Sequence, residues 1–267
     1  MLRDLNDLKN YAIHATDGDI GGVKDCYFDD ESWTVRYLIV ETGNWLASRK
    51  VLISPLSVHQ PNWAEKTLPV SITKEQVKNS PDIDTEMPVS RQLESTFLGF
   101  YGFPAYWSAE AFTGLAMPGY ASYGAAGLAD RQPIESAAVD AEKQRLDDVH
   151  LRSCDDVRDY HIHAIDGEIG HVAGFLLDDE TWAIRYLIVD TSNWWFGHQV
   201  LIAPQWIKAI RWSDRTVSVD LTQEAIKTSV PYDKSAILDR EAEAAMFQHY
   251  SRTGYWDKNT GPANRTP

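Results

Sequence analysis

Trp33-Thr34-Val35-Arg36-Tyr37-Leu38-Ile39-Val40 returns later in the chain as Trp182-Ala183-Ile184-Arg185-Tyr186-Leu187-Ile188-Val189. The offset is 182 − 33 = 149. Within each stretch both alternating faces are largely apolar, which is the pattern of a central strand covered on both sides. The match extends outward without a gap. Tyr11 to Gly18 recurs at Tyr160 to Gly167, Asp29-Asp30-Glu31 at Asp178-Asp179-Glu180, and Val51-Leu52-Ile53 with Pro55 at Val200-Leu201-Ile202 with Pro204. Of the ten tryptophans, eight fall into the pairs 33/182, 45/194, 63/212 and 107/256, leaving Trp195 and Trp206. The chain is therefore two copies of one template.

Each copy reads as a run of short strands. Tyr11–Ala15 is a strand, Asp17-Gly18 a tight turn, and Ile20–Phe28 the return strand, with Gly21-Gly22 marking a bulge or bend. Trp33–Val40 follows, then Lys50–Ile53, closed by Pro55. Leu56–Trp63 and Leu68–Ile72 are expected to pair across a turn at Ala64–Lys66. Thr73 with Gln76 forms a capping box for a short helix. Its counterpart keeps Thr222 but has Ala225. Further helices are expected over Ser90–Phe100 and Ser235–Tyr250, with Leu93, Phe97 and Tyr101 as the apolar stripe that docks on the sheet. The expected class is mainly β: two small β-barrels in tandem, each followed by a short helix and a second C-terminal helix. The expected domains are 1–107, an Ala/Gly-rich then charged linker at 108–149, 150–257, and a flexible tail at 258–267. A short linker helix is expected at Ala137–Leu146.

The 267 residues carry 25 Lys and Arg against 39 Asp and Glu, a net charge of −14. Such a chain repels phosphate backbones, so no nucleic-acid partner is expected. No apolar signal segment follows Met1, and two cysteines are too few for a disulfide framework, so the expected location is cytoplasmic. Phe112–Ala129 is uncharged but holds Gly114, Pro118, Gly119, Ser122, Gly124 and Gly127, and reads as a linker rather than a transmembrane segment.

The combined motif is Asp-Gly-[Asp/Glu]-Ile-Gly, Asp-Asp-Glu-x-Trp, Arg-Tyr-Leu-Ile-Val and Val-Leu-Ile-x-Pro. It resembles the PRC-barrel family over about Leu2–Ser80 and again over Leu151–Ser229. That family includes the cytoplasmic domain of the photosynthetic reaction centre H subunit and the C-terminal domain of the ribosome maturation factor. The resemblance is to tandem stand-alone bacterial members. It implies a fold and leaves the function open.

The candidate residues each have a bland and a sharp reading. His14 and His163 match one another, and His161 with His163 puts two imidazoles on one strand face, the candidate metal pair; no third ligand is evident. Asp29-Asp30-Glu31 and Asp178-Asp179-Glu180 read as solvated turns rather than cation loops. Arg36 and Arg185 sit in apolar strands and need anionic partners from an acidic turn, Asp17 or Glu31 in the first copy. Asp17, Gly18, Asp166 and Gly167 serve turns, and Trp33 and Trp182 are core residues opening the central strand. Trp45, and Trp194-Trp195-Phe196, form the candidate interaction surface. Tyr106-Trp107 and Tyr255-Trp256 anchor helix ends. Cys26 aligns with Phe175 and Cys154 with Leu5, so both read as small apolar fillers. Neither a catalytic residue nor a cofactor is expected.

The leading functional expectation is a non-catalytic interaction or scaffold module with an unidentified protein partner. One alternative is an accessory protein associated peripherally with a membrane complex, like the H subunit domain. Another is an enzyme with a cleft between the copies, lined by His14, His163, Asp17 and Asp166. The two barrels are expected to pair within the chain, and homo-oligomers are compatible with the same surfaces. The unpaired tryptophans place any specialised surface in the second copy.

Overall fold

We describe the protein from a computed structural model that covers residues 1–9, 11–81, 89–107, 150–191 and 198–257. The expected linker, its helix at Ala137–Leu146, the uncharged Phe112–Ala129 stretch, the tail, and Trp194, Trp195 and Phe196 lie outside the described residues.

In the first copy the strands are β1 (Leu2–Asp4), β2 (Ala12–Ala15), β3 (Gly18–Asp29), β4 (Thr34–Thr42), β5 (Lys50–Ile53) and β6 (Thr67–Pro69). The helices are α1 (Leu5–Leu8), α2 (Lys74–Asn79) and α3 (Arg91–Tyr101). The second copy holds β7 (Leu151–Ser153), α4 (Cys154–Val157), β8 (His161–Ala164), β9 (Gly167–Asp178), β10 (Ile184–Asp190) and β11 (Gln199–Ile202). It continues with β12 (Ile207–Arg211), β13 (Thr216–Val219), α5 (Gln223–Lys227) and α6 (Arg240–His249). The fold is mainly β, built on two sheets. One has the order β5-β4-β3-β2-β6, with β7 also paired to β3. The other has the order β11-β10-β9-β8-β13-β12, with β1 also paired to β9. The first strand of each copy thus pairs with the long strand of the other copy.

That exchange explains why the compact units do not follow the sequence copies. The larger unit holds Met1, Arg3–Val157 and Phe175–Arg185; the smaller holds Leu2, Arg158–Gly174 and Tyr186–Pro267. Boundaries at 107 and 150 would cut β7 from its partner. In the larger unit β7 runs antiparallel to β3 with Tyr27 opposite Ser153, Phe28 opposite Arg152 and Asp29 opposite Leu151. β4 is buried along almost its whole length, as a strand with two apolar faces must be. Its core neighbours include Tyr27, Leu52, Phe97, Leu98 and Leu151. In the smaller unit Trp206 is fully buried, with ring centroids 5.1 Å from Phe247 and 4.8 Å from Tyr250. It belongs to the core there and not to a specialised surface.

Glycine is required where strand backbones crowd. A Cβ on Gly21 would lie 2.0 Å from the Glu41 carbonyl oxygen, and one on Gly170 2.0 Å from that of Asp190. Gly170 also has φ +147°, a backbone that side chains resist.

Several sequence expectations change. Trp33 and Trp182 do not open strands: they are turn residues with φ 53° and 58°, and the strands begin at Thr34 and Ile184. Leu56–Trp63 is not a strand; it starts as a 3-10 turn over Pro55–Ser57 and keeps two isolated bridges, Val58–Val70 and Asn62–Thr67. The second copy forms a true β12–β13 hairpin behind the matching Pro204; the first copy has Pro61 and Pro69 where that hairpin has Ile210 and Ser218, and a proline offers no amide to a ladder. Helix α6 starts at Arg240, where Asp239 accepts from the Ala242 amide, and not at Ser235, which sits in a turn with Asp233. On α3 the docking face is Glu94, Phe97 and Leu98, with Leu93 turned outward at 42% exposure. Among the described residues no helix is long and apolar enough to cross a membrane.

Candidate functional site

Helix α3 is started by Ser90, whose hydroxyl accepts from the Leu93 amide. Three residues apart on such a helix share a face, so Arg91 and Glu94 both look toward the sheet. Glu94 is only 1% exposed. A buried carboxylate costs several kcal/mol unless hydrogen-bonded donors replace water. Tyr106 supplies one, its hydroxyl donating to Glu94 at 2.9 Å from Oε1 and 3.2 Å from Oε2. His150 supplies the other, with Nε2 3.0 Å from Glu94 Oε2 and 3.1 Å from the Tyr106 hydroxyl.

Cations cover the Tyr106 ring. The Arg36 guanidinium lies 3.8 Å from its centroid and that of Arg91 5.3 Å. Arg91 also lies 4.7 Å from the Trp107 ring and within 4.0 Å of buried Asp29. Burial, and then the Glu94 and Asp29 charges, push the Tyr106 hydroxyl well above the usual phenol range. Burial pulls the His150 imidazole down, but the hydrogen bond to Glu94 and the nearby carboxylates outweigh it against Arg91, so its pKa is raised.

The smaller unit repeats this arrangement at the same offset. Glu243 Oε1 accepts from Tyr186 at 2.6 Å and from Tyr255 at 2.8 Å, and Arg240 Nη1 is 3.0 Å from Glu243 Oε2. The Arg240 guanidinium lies 5.1 Å from the Tyr255 ring and 4.3 Å from that of Trp256. Each Arg-x-x-Glu helix start is thus tied to a Tyr-Trp pair. Among the described residues His150 has no counterpart in the smaller cluster, which makes the larger one different.

His150 also immediately precedes the exchanged strand. Its carbonyl accepts from the Asp30 amide at 2.9 Å, and Arg152 donates to Asp30 at 2.8 Å. The matched residues do the same at the other exchange: the Met1 carbonyl accepts from the Asp179 amide at 3.0 Å, and Arg3 donates to Asp179 at 3.0 Å. Asp25 accepts from the Ser153 hydroxyl and the Asp155 amide. Burial outweighs these contacts and raises its carboxyl.

The residues singled out in the sequence are spread over local roles. Asp17 accepts from the Lys74 amide at 2.7 Å and Asp166 from the Gln223 amide at 2.8 Å, each joining its hairpin turn to a helix start. Gly18 and Gly167 follow with φ +135° and +151°. Arg36 donates to the Ser32 hydroxyl at 3.0 Å besides covering Tyr106. Arg185 does find an acidic turn residue, donating to Asp178 at 2.8 Å. His14 lies beside Asp19, and exposed His161 contacts Glu168 at 2.7 Å. Among the described residues no three His, Cys, Asp or Glu are grouped to hold a metal, so the His161–His163 pair gains no third ligand there. Trp45 is half-buried, with its indole donating to the Ile20 carbonyl at 2.7 Å and Lys74 4.5 Å from the ring.

Glu94, Glu243 and His150 were not singled out in the sequence. The retained signal was Arg91-x-x-Glu94 against Arg240-x-x-Glu243, a match lying beyond the strand motifs. Chemically the cluster can share a proton between Glu94 and His150 and bind α3 to the start of β7.

Comparison with known proteins agrees with this architecture. A stretch of 99 residues is 29% identical to an uncharacterized protein of Deinococcus radiodurans, covering 35% of each chain. The match thus spans about a third of that protein's length. The PRC-barrel domain family matches residues 2–77.

Proposed function

We propose that the chain is a non-catalytic, protein-binding module made of two PRC-type barrels in tandem. The tandem reading is supported by the match at an offset of 149 residues, which carries every strand of the first copy onto a strand of the second. The non-catalytic reading rests on one observation: the acidic groups that a cleft enzyme would use are already engaged by the fold. Asp17 and Asp166 hold helix amides. Glu94 and Glu243 are buried against tyrosine hydroxyls. Apolar surface, by contrast, is left outward on α3, where Leu93 and Phe100 are 42% and 41% exposed. Seven residues apart, they lie on one side of the helix. Exposed aromatic and aliphatic side chains of this kind anchor protein contacts.

The test is affinity capture of the full chain from its native cells, read by mass spectrometry, beside a Leu93→Glu, Phe100→Glu double variant shown to be folded by circular dichroism. The reading predicts a protein enriched by the wild type and lost with the variant. Recovery of nothing above background, or capture that the variant leaves unchanged, contradicts it.

A further inference from the structure

The chain has two cysteines in 267 residues, and the strand exchange brings them together. The β3–β7 ladder pairs Tyr27 with Ser153, Phe28 with Arg152 and Asp29 with Leu151. The ladder ends at Ser153 and Cys154 begins α4, so Cys26 and Cys154 are the chain neighbours of its last pair, Tyr27 and Ser153. Both thiols are free and buried, and Cys26 is one of the groups that hold the Cys154 thiol protonated. The neighbouring Tyr27–Ser153 pair sets its Cα atoms about 4.5–5.5 Å apart, as antiparallel partners do, and a disulfide bridges Cα atoms about 4.4–6.8 Å apart.

Packing alone does not ask for this chemistry. At the matched positions of the other exchange stand Leu5 and Phe175, both buried apolar residues. The polar surroundings differ too. Asp25 caps the β7–α4 junction beside the thiols, and Lys9 lies next to Asp155. Burial, with the Asp25 and Asp155 charges, pushes both thiols well above their ordinary value. Such thiols are slow nucleophiles while they stay covered, so their reaction waits on β7 lifting from β3.

We propose that Cys26 and Cys154 are a redox site that closes to a disulfide when the chain meets a small-molecule disulfide, fastening the β7–α4 junction to β3. In the first step one thiol loses its proton, and its sulfur attacks the small disulfide. A mixed disulfide forms and one small thiolate leaves. In the second step the other cysteine, deprotonated in turn, attacks the protein sulfur of that mixed disulfide and expels the second small thiolate. Two protein thiols are oxidised to one disulfide, and one small disulfide is reduced to two thiols. Both protons end on those thiols.

The experiment uses the full chain with oxidised glutathione, read by thiol titration in denaturant and by mass spectrometry of a non-reduced digest. The proposal predicts loss of both thiols, a peptide carrying Cys26 linked to one carrying Cys154 within a monomeric chain, and reversal by dithiothreitol. Arg152→Ala, which removes a contact holding β7, accelerates the reaction several-fold. Cys154→Ser stops it at the mixed disulfide on Cys26. Persistence of both thiols overturns the proposal, as do two separate glutathione adducts or links between chains.

Discussion

Trp33 and Trp182 adopt the same left-handed backbone, and each accepts at its carbonyl from beyond the other. The Val35 amide donates to Trp182 at 2.8 Å and the Ile184 amide to Trp33 at 2.7 Å. Thr34 and Ala183 form the antiparallel bridge between them. Each tryptophan amide also closes its own acidic turn at 2.8 Å, on Asp29 and Asp178. The same Asp-Asp-Glu turn is therefore used twice, and its two ends satisfy each other inside the larger unit. The indoles are not equivalent: Trp182 is 5% exposed, whereas Trp33 is half-buried and stacks on Phe28 at 5.1 Å. Trp182→Ala is expected to cost about 3–5 kcal/mol, as for other buried aromatics. Trp33→Ala should cost clearly less. Chemical denaturation of both variants checks the order.

Gly21→Ala and Gly170→Ala put a methyl group into the carbonyl oxygen of a neighbouring strand. Backbone cannot step aside as a flexible side chain can. Each is expected to destabilise by more than about 3 kcal/mol, the range of severe packing errors. Gly170→Ala should be the worse, because it adds strain at φ +147°. Gly43→Ala, which meets nothing within 4 Å, is the control and should leave the melting temperature almost unchanged.

Arg185 and Asp178 form a pair with side chains 7% and 19% exposed. Removing one partner of such a pair strands the other, and Arg185→Ala is expected to cost about 3 kcal/mol. Acid has a matching effect. Burial raises the Asp178 carboxyl, but the Arg185 hydrogen bond, the Glu180 amide and the guanidinium charge overcome it, so its pKa is lowered. A depressed pKa contributes stability that is present above the unfolded value of 3.8 and is lost as pH falls through the folded one. Asp178→Asn should therefore narrow its stability deficit as pH drops below about 4. Urea titrations at several pH values read this out.

His150 gives the opposite dependence. Its pKa is raised from 6.5, so its contribution is full below that value and is lost as pH rises through the folded pKa. The stability gap between wild type and His150→Gln should be widest near pH 6 and shrink toward pH 9. A gap that widens with pH would show that Glu94 does not hold a charged imidazole. Among the described residues Glu243 is met by tyrosines and Arg240 and by no histidine, so Glu243→Gln should show no such trend across this range.

Local signals in the sequence located most elements, because each rests on neighbours in the chain. The Asp17-Gly18 turn, the Lys50–Ile53 strand and the Thr73–Gln76 box all depend on spacing. The left-handed Trp33 was not legible, since bulky aromatics avoid that backbone and only the closed Asp29 turn makes it favourable. The strand exchange was invisible for a different reason. Two copies of one template offer β7 two equivalent partners, β3 and β9, and periodicity cannot choose between them. The choice is carried by residues that differ between the two partners, such as Asp25, which accepts from the Ser153 hydroxyl and is matched in β9 by Gly174. Leu93 misled because apolar spacing of four marks a stripe but not which flank of it faces the sheet. Buried Glu94 beside Phe97 and Leu98 reads as a polar interruption until Tyr106 and His150 are seen against it.

Isotope-edited NOE spectra of the full chain test the exchange most directly. The account predicts cross-strand contacts from Leu151–Ser153 to Tyr27–Asp29, with Arg152 facing Phe28. Contacts from Leu151–Ser153 to the 175–178 segment of the same copy would contradict it.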